Sequence, residues 1–311
     1  MTASGGHVDD AGLAVFSAER DRLLGLAYRM TGSLAEAEDV VQDAWLRWSG
    51  TDRAVIDNPP AWLTTVTTRL SLDRLKALDR RRSDYVGEWL PEPVATSRGP
   101  EEAAEVADSL TLGFLVLLDR LTPLERAVFL LAEVFAEPYA TIGATVGRSP
   151  EACRQIAGRA RRKVDAGRRP AGADRSGTGP AGTGQTEAQP DTVLLGRLVT
   201  AVLSGDPQAV VELLDPDVVL VSDAGPTRRA ARRPVVGPER VSRLLVNLGS
   251  RLDAGVPVSV VEVNERPALR FDLDDGPVVL QLDQVDGRIR SLWFLLNPAK
   301  LHGLDAASPL R

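Results

Sequence analysis

The chain has 311 residues, 43% of them hydrophobic and 26% charged, with a net charge of −6 at pH 7. That length suits two or three domains, each with its own core. The acidic balance argues against a protein that coats nucleic acid indiscriminately, yet it is compatible with local basic surfaces. A single cysteine, Cys153, rules out an intrachain disulfide and a cysteine-based zinc site. With only His7 and His302, histidine-based metal or acid–base chemistry has little to use, so no cofactor or metal is expected. No run approaches the apolar length of a membrane span, and Met1–Asp10 has neither a basic stretch nor an apolar core. A cytoplasmic protein with no membrane partner is the expectation.

Residues 11–84 read as three or four helices. Phe16, Leu23, Leu24, Ala27 and Met30 recur at helical spacing, and Gly32-Ser33 punctuates. The next helix, Leu34–Trp48, puts Val40, Val41, Ala44, Trp45 and Trp48 on one face and Glu36, Glu38, Asp39, Gln42 and Asp43 on the other. Asn58-Pro59-Pro60 starts a long helix, with Asn as the cap and Pro in the tolerated first turn. Trp62, Leu63, Val66, Leu70 and Leu75 mark its core side; Arg69, Arg74, Lys76 and Arg80–Arg82 lie elsewhere.

Residues 85–108 form a linker. It holds Trp89-Leu90-Pro91-Glu92-Pro93, an aromatic and a rigid Pro pair, and ends in Glu101, Glu102, Glu105 and Asp108. Residues 109–168 are helical again. Thr122-Pro123-Leu124-Glu125 is a capping box with Pro at the first helical position. Tyr139–Val146 is a short helix closed by Gly147, and Ser149 caps a second helix starting at Pro150. The pair is a helix-turn-helix. Its second helix presents Arg154, Gln155, Arg159, Arg161, Arg162 and Lys163, residue types that reach base edges and phosphates.

Residues 169–190 contain no large apolar side chain and read as a flexible tether. From 191 to 303 the pattern is α+β. Helices are expected around Leu194–Val202, Pro207–Leu214 and Pro238–Leu252. An antiparallel meander is expected from Val218–Ser222, Val258–Val263, Ala268–Leu273, Val278–Leu282 and Ile289–Leu296. Asp275-Gly276 and Asp286-Gly287 are hairpin turns.

The acidic face of Asp39, Gln42 and Asp43 is either a plain solvated surface or a docking surface for a basic partner. The basic residues of the long helix are either surface charge or phosphate contacts. In three segments, taken in order, the chain resembles the sigma-70 family of bacterial transcription initiation factors, most of all its extracytoplasmic-function (ECF) group. Asp39–Trp48 resembles that group's polymerase-binding helix, Asn58–Arg82 its −10 helix and Leu121–Val164 its −35 domain. The tail resembles the subgroup with a SnoaL-like domain of the cone-shaped NTF2-like fold. Trp89–Pro93 and Asn297-Pro298-Ala299-Lys300-Leu301 match that subgroup's W-L-P-E-P and N-P-x-K-L segments. Its Asp-Gly-Gly-Gly stretch is here Asp223-Ala224-Gly225-Pro226, and Pro226 puts backbone contacts at that loop in doubt.

The resemblance implies two all-α sigma domains, region 2 and region 4, plus an α+β cone domain. It implies core RNA polymerase and promoter DNA as partners and no catalytic residue. Asp39, Gln42 and Asp43 would meet polymerase. Arg69, Arg74 and Lys76 would meet the −10 element. Arg154, Gln155 and Arg159 would read the −35 element, with Arg161, Arg162 and Lys163 on phosphates. Trp89–Pro93, Asp223, Asn297, Pro298, Lys300 and Leu301 would serve regulation in cis. Other readings stay open: a helix-turn-helix regulator sensing a small ligand in the cone, or a bifunctional protein whose cyclase-like tail uses Asp223 as a base.

Overall fold

The structure is a computed structural model and describes residues 10–82, 85–95, 111–168, 188–253, 255–302 and 304. The acidic stretch from Glu101 to Asp108, most of the tether and His7 lie outside the described residues. These divide into two compact units. One holds 10–82 and 114–168; the other holds 85–95, 111–113 and the chain from 188 onward.

In the first unit, α1 (Asp10–Thr31), α2 (Leu34–Ser49) and α3 (Pro59–Arg82) pack as a three-helix bundle. Its core includes Leu23, Leu26, Met30, Val40, Trp48, Leu63 and Leu75. Ser33 caps α2 at the Glu36 N–H, and Asn58 accepts from the Ala61 N–H at 3.1 Å, as their positions before apolar-periodic runs predict. The remaining helices are α4 (Leu112–Leu118), α5 (Pro123–Phe129, continued by a π turn over Leu130–Val134), α6 (Tyr139–Val146) and α7 (Pro150–Arg168). The capping box at Thr122 is complete, with both reciprocal bonds to Glu125 formed.

The sharp turn of the helix-turn-helix needs glycine twice. Gly147 has φ +68°, and a Cβ on Gly143 would sit 2.5 Å from the Arg148 carbonyl. Ser149 accepts from the Ala152 N–H at 3.2 Å, so α7 starts where Pro150 can tolerate its missing donor.

In the second unit, α8 (Ala188–Leu203), α9 (Pro207–Val211) and α10 (Pro238–Gly249) cover one face of a six-stranded sheet; a short α11 (Pro298–Leu301) follows the last strand. The strands are β1 (Leu214–Asp223), β2 (Val235–Val236), β3 (Val258–Val263), β4 (Arg266–Leu273), β5 (Gly276–Val285) and β6 (Arg288–Leu295), in the order β2-β1-β6-β5-β4-β3. Strands β3 to β6 are the expected antiparallel meander. The expectation of an all-antiparallel sheet needs correction, because β1 pairs with β6 in parallel. The intervening helices and meander carry the chain across the sheet, which is what a parallel pairing requires.

Asp286 and Gly287 both have positive φ, as a two-residue hairpin turn demands. A third turn, Asn264-Glu265, has the same geometry without a glycine and so left no turn signal in the sequence.

Candidate functional site

On α2, Asp39, Gln42 and Asp43 are exposed while Val40, Val41, Ala44 and Trp48 anchor the opposite face. Trp48 donates its indole N–H to the Gly12 carbonyl at 2.8 Å, and Trp45 stacks edge-on to Phe16 at 5.0 Å. The acidic face is thus held on a rigid helix. Leu46, 59% exposed beside it, adds an apolar side chain that periodicity alone assigned to no role. Arg74 of α3 reaches across to Glu36 and Asp39, which ties the basic helix to the acidic one.

Arg69 is also engaged. Its Nε donates to the Thr145 carbonyl at 3.0 Å and its Nη2 to the Ala144 carbonyl at 2.9 Å, so it caps the C-terminal end of α6. Thr65 and Thr145 share a hydroxyl hydrogen bond of 3.1 Å alongside. Lys76 is exposed, with only Asp73, at 3.4 Å, as an ion-pair partner among the described residues.

The bundle and the helices that follow it are joined further by buried and half-buried cations. Arg126, 2% exposed, donates to the Met30 carbonyl at 2.8 Å, to the Leu118 carbonyl at 3.0 Å, and to Asp119. Arg82 donates to the Thr31 carbonyl at 2.8 Å and to Asp119 at 3.2 Å. Burial lowers the Arg82 pKa, with Asp119 opposing that shift. Arg22 bridges Thr64 at 2.8 Å and Glu137 at 3.1 Å.

All six side chains proposed on α7 are exposed, but they are not equivalent. Arg161 pairs with Glu133, Lys163 holds Glu125 at 2.7 Å, and Arg154 lies over the Tyr139 ring with Glu151 at 3.5 Å. Gln155, Arg159 and Arg162 have no such partner among the described residues.

The densest constellation is in the second unit. Asp223, fully buried at the end of β1, accepts from the Tyr85 hydroxyl and from the Leu90 N–H at 2.8 Å. It also accepts from the Gly225 N–H at 3.2 Å and Lys300 Nζ at 2.6 Å. Lys300 donates a second time, to the Leu90 carbonyl, and sits 3.9 Å above the Trp89 ring. Asn297 donates to the Tyr85 oxygen at 2.8 Å while its Oδ1 caps α11 at the Ala299 N–H. Pro298 takes the first helical position behind that cap, and Leu301 is buried.

Leu90, Pro91 and Pro93 are buried, and Glu92 is half-buried. Farther along, Val94 exchanges hydrogen bonds with Asn264 and Ala95 bridges to Val263, so the segment ends as an added edge on β3. Gly225 has φ +63°, and a Cβ there would lie 2.7 Å from the Asn297 side chain. The glycine that survives from the Asp-Gly-Gly-Gly pattern is therefore the one this packing needs, and Pro226 removes no N–H that Asp223 uses. Arg228, in the loop that follows, is pinned by Asp275, the Pro277 carbonyl at 2.9 Å and the Leu296 carbonyl at 3.3 Å.

Tyr85 was not singled out by the sequence; its only signal was an aromatic in a polar linker. Its pKa is pushed well above the usual tyrosine range, by burial first and then by the hydrogen bond to Asp223 and that carboxylate's charge. Because the folded pKa is the higher one, its stabilising effect is intact below about pH 10 and fades as pH rises beyond that. Tryptophan fluorescence followed from pH 8 to 11 should report release of Trp89 starting near pH 10. Tyr85→Phe should remove that dependence; an unchanged profile would exclude Tyr85 as its source.

Two family models match the chain: Sigma-70 region 2 over residues 15–81 and Sigma-70 region 4 over residues 112–164. The ECF RNA polymerase sigma factor SigJ of Mycobacterium tuberculosis is 38% identical over 95% of this chain and 94% of that protein. The probable ECF RNA polymerase sigma factor SigI of the same species is 32% identical over 94% of this chain and 96% of its own. The crystal structure of SigJ superposes with a TM-score of 0.73 at 35% identity, covering 96% of this chain and all of that one. No described helix is long and apolar enough to cross a membrane, and no described cluster of side chains suits a metal ion. From its two helical regions to its α+β tail, the chain belongs to the ECF sigma factors of the sigma-70 family.

Proposed function

We propose that this sigma factor brings core RNA polymerase to its promoters under the control of its own tail, which grips the segment between region 2 and region 4. The observation that carries the proposal is the saturated carboxylate of Asp223, which binds linker residues Tyr85 and Leu90 and tail residue Lys300 at once. Asp39, Gln42 and Asp43 are the polymerase contacts in this reading.

The packing of region 2 against region 4 argues for a restrained state. Elements at −10 and −35 lie about 85 Å apart on duplex DNA at 3.4 Å per base pair. Arg69, a candidate −10 contact, instead touches the helix-turn-helix. Both DNA surfaces can be used together only after the two domains part.

Linker length then decides what the tail can do. With 85–95 held, residues 96–110 reach at most about 54 Å even fully extended. Release of the held segment lets its residues add up to about 40 Å more. The latched form is accordingly the less active one.

A catalytic tail is disfavoured by the same geometry. A carboxylate offers about four acceptor sites, and Asp223 has filled them with two N–H groups, a hydroxyl and an ammonium. It has no lone pair left for a substrate proton.

Arg159, exposed on α7 and without an ion-pair partner among the described residues, is the best candidate for base readout. Arg159→Ala should cost about 1–3 kcal/mol of promoter binding by the holoenzyme and relax preference at one −35 position. Transcription from a set of single-base −35 variants measures this. A loss equal on every variant would assign Arg159 to phosphate contact instead.

A further inference from the structure

We propose that the second unit carries a binding site for a small organic carboxylate, in the cavity beside Asp223. This rests on the regulatory reading above for its consequence, though not for its chemistry. The cavity encloses about 380 Å³, equal to roughly a dozen waters at liquid density. Its walls are the loop after β1, including Ala224, Arg229, Ala231 and Arg232, and the linker residues Val86 and Gly87.

Three observations point to an anion with an apolar body. First, the loop from Ala224 to Pro238 contains four arginines and no acidic residue. The charges around it are already matched, Arg228 by Asp275 and Asp223 by Lys300, whereas Arg229 and Arg232 have no ion-pair partner among the described residues. Guanidinium groups suit the two oxygens of a carboxylate. Second, Ser222 lines the cavity with only 7% of its surface exposed, and its hydroxyl makes no hydrogen bond among the described residues. That hydroxyl faces the cavity and is available to a ligand oxygen. Third, Val86, Ala224, Pro226, Ala230 and Ala231 give the rest of the wall small apolar surfaces. A bare oxyanion would leave them unfilled.

The position gives the site its effect. Val86 and Gly87 follow Tyr85 directly and precede Trp89, so one wall exists only while the linker is held. A ligand that needs both walls binds the latched form and shifts its equilibrium by a factor of 1 + [L]/Kd, about a hundredfold at 100 Kd. The carboxylate thereby acts as a corepressor of promoter-directed transcription.

The test is calorimetric titration of the intact chain with sodium benzoate at fixed ionic strength, with inorganic phosphate as the bare-oxyanion control. Saturable one-site binding of benzoate is expected, at least tenfold tighter than phosphate. The Arg229→Ser/Arg232→Ser variant should weaken it at least tenfold while keeping the thermal midpoint of the parent. Asp223→Ala, which frees the linker wall, should weaken it as well. Unsaturable benzoate binding, equal binding of phosphate, or a double variant that binds like the parent would overturn the site. Benzoate binding that Asp223→Ala leaves untouched would overturn the coupling. The regulatory reading is decided separately, by transcription with Asp223→Ala in the absence of any carboxylate.

Discussion

Asp223→Ala should release the linker from the tail and raise promoter-directed transcription several-fold at equal polymerase concentration. The substitution removes four acceptor contacts at once and leaves Lys300, only 11% exposed, without its counter-ion. Breaking a buried pair by deleting one member typically costs about 3–5 kcal/mol, because the surviving charge stays desolvated. Held against an effective concentration in the millimolar range for a tethered segment, a loss of that size moves the linker from mostly bound to mostly free. Asp223→Asn is the gentler comparison, since its amide still accepts from the Leu90 N–H but loses the charge attraction to Lys300. Protection of Trp89 from a soluble quencher gives the structural readout, and run-off transcription the functional one. Unchanged output with a fully exposed Trp89 would show that the tail holds the linker without regulating initiation.

The second large effect is expected at Arg126. Its guanidinium binds the last turn of α1, the end of α4 and Asp119 from a position that is almost wholly buried. Arg126→Ala would orphan the Met30 and Leu118 carbonyls and leave Asp119 to Arg82 alone. A cost of about 3–5 kcal/mol is expected, spread between region 4 stability and the docking of region 4 on region 2. Arg69→Ala tests the docking more gently, since its bonds to the Ala144 and Thr145 carbonyls lie near solvent. Energy transfer between dyes placed on α2 and α7 should fall in both variants, with the larger drop for Arg126→Ala. Equal transfer in parent and variants would mean that other contacts hold the two regions together.

Much of this architecture was legible in the sequence, and the legible part is local. Thr122 with Glu125, Asn58 before two prolines, and Ser149 before Pro150 fix helix starts within four residues, so reading them needs no tertiary knowledge. Asp286-Gly287 announced its turn the same way. What escaped is non-local. Met30 and Arg126 are 96 positions apart, and no period or motif connects them. The parallel pairing of β1 with β6 depends on where the helices leave the chain, and Asn264-Glu265 turns without glycine.

The site shows the same division. The motifs at 89–93, 223–225 and 297–301 were each visible, and their resemblance to one subgroup suggested a shared role. That they converge on one carboxylate, through an unremarked Tyr85, required the fold. Arg69 and Arg74 illustrate a further limit. Their residue type and helical face predicted nucleic-acid contact, yet a guanidinium that can grip a phosphate can equally cap a helix or pair with Glu36 and Asp39. Sequence cannot say which partner holds it in the free protein.

The most direct measurement is promoter-specific initiation by the intact chain itself. Core RNA polymerase incubated with the purified protein should retain it through size-exclusion chromatography. The resulting holoenzyme should make a discrete run-off transcript from the promoter of the chain's own gene, where core alone makes none. Asp39→Arg/Asp43→Arg should abolish retention without unfolding α2. A protein that fails to co-elute with core polymerase, or that yields no discrete transcript in either its parent or its Asp223→Ala form, would contradict its role as an initiation factor.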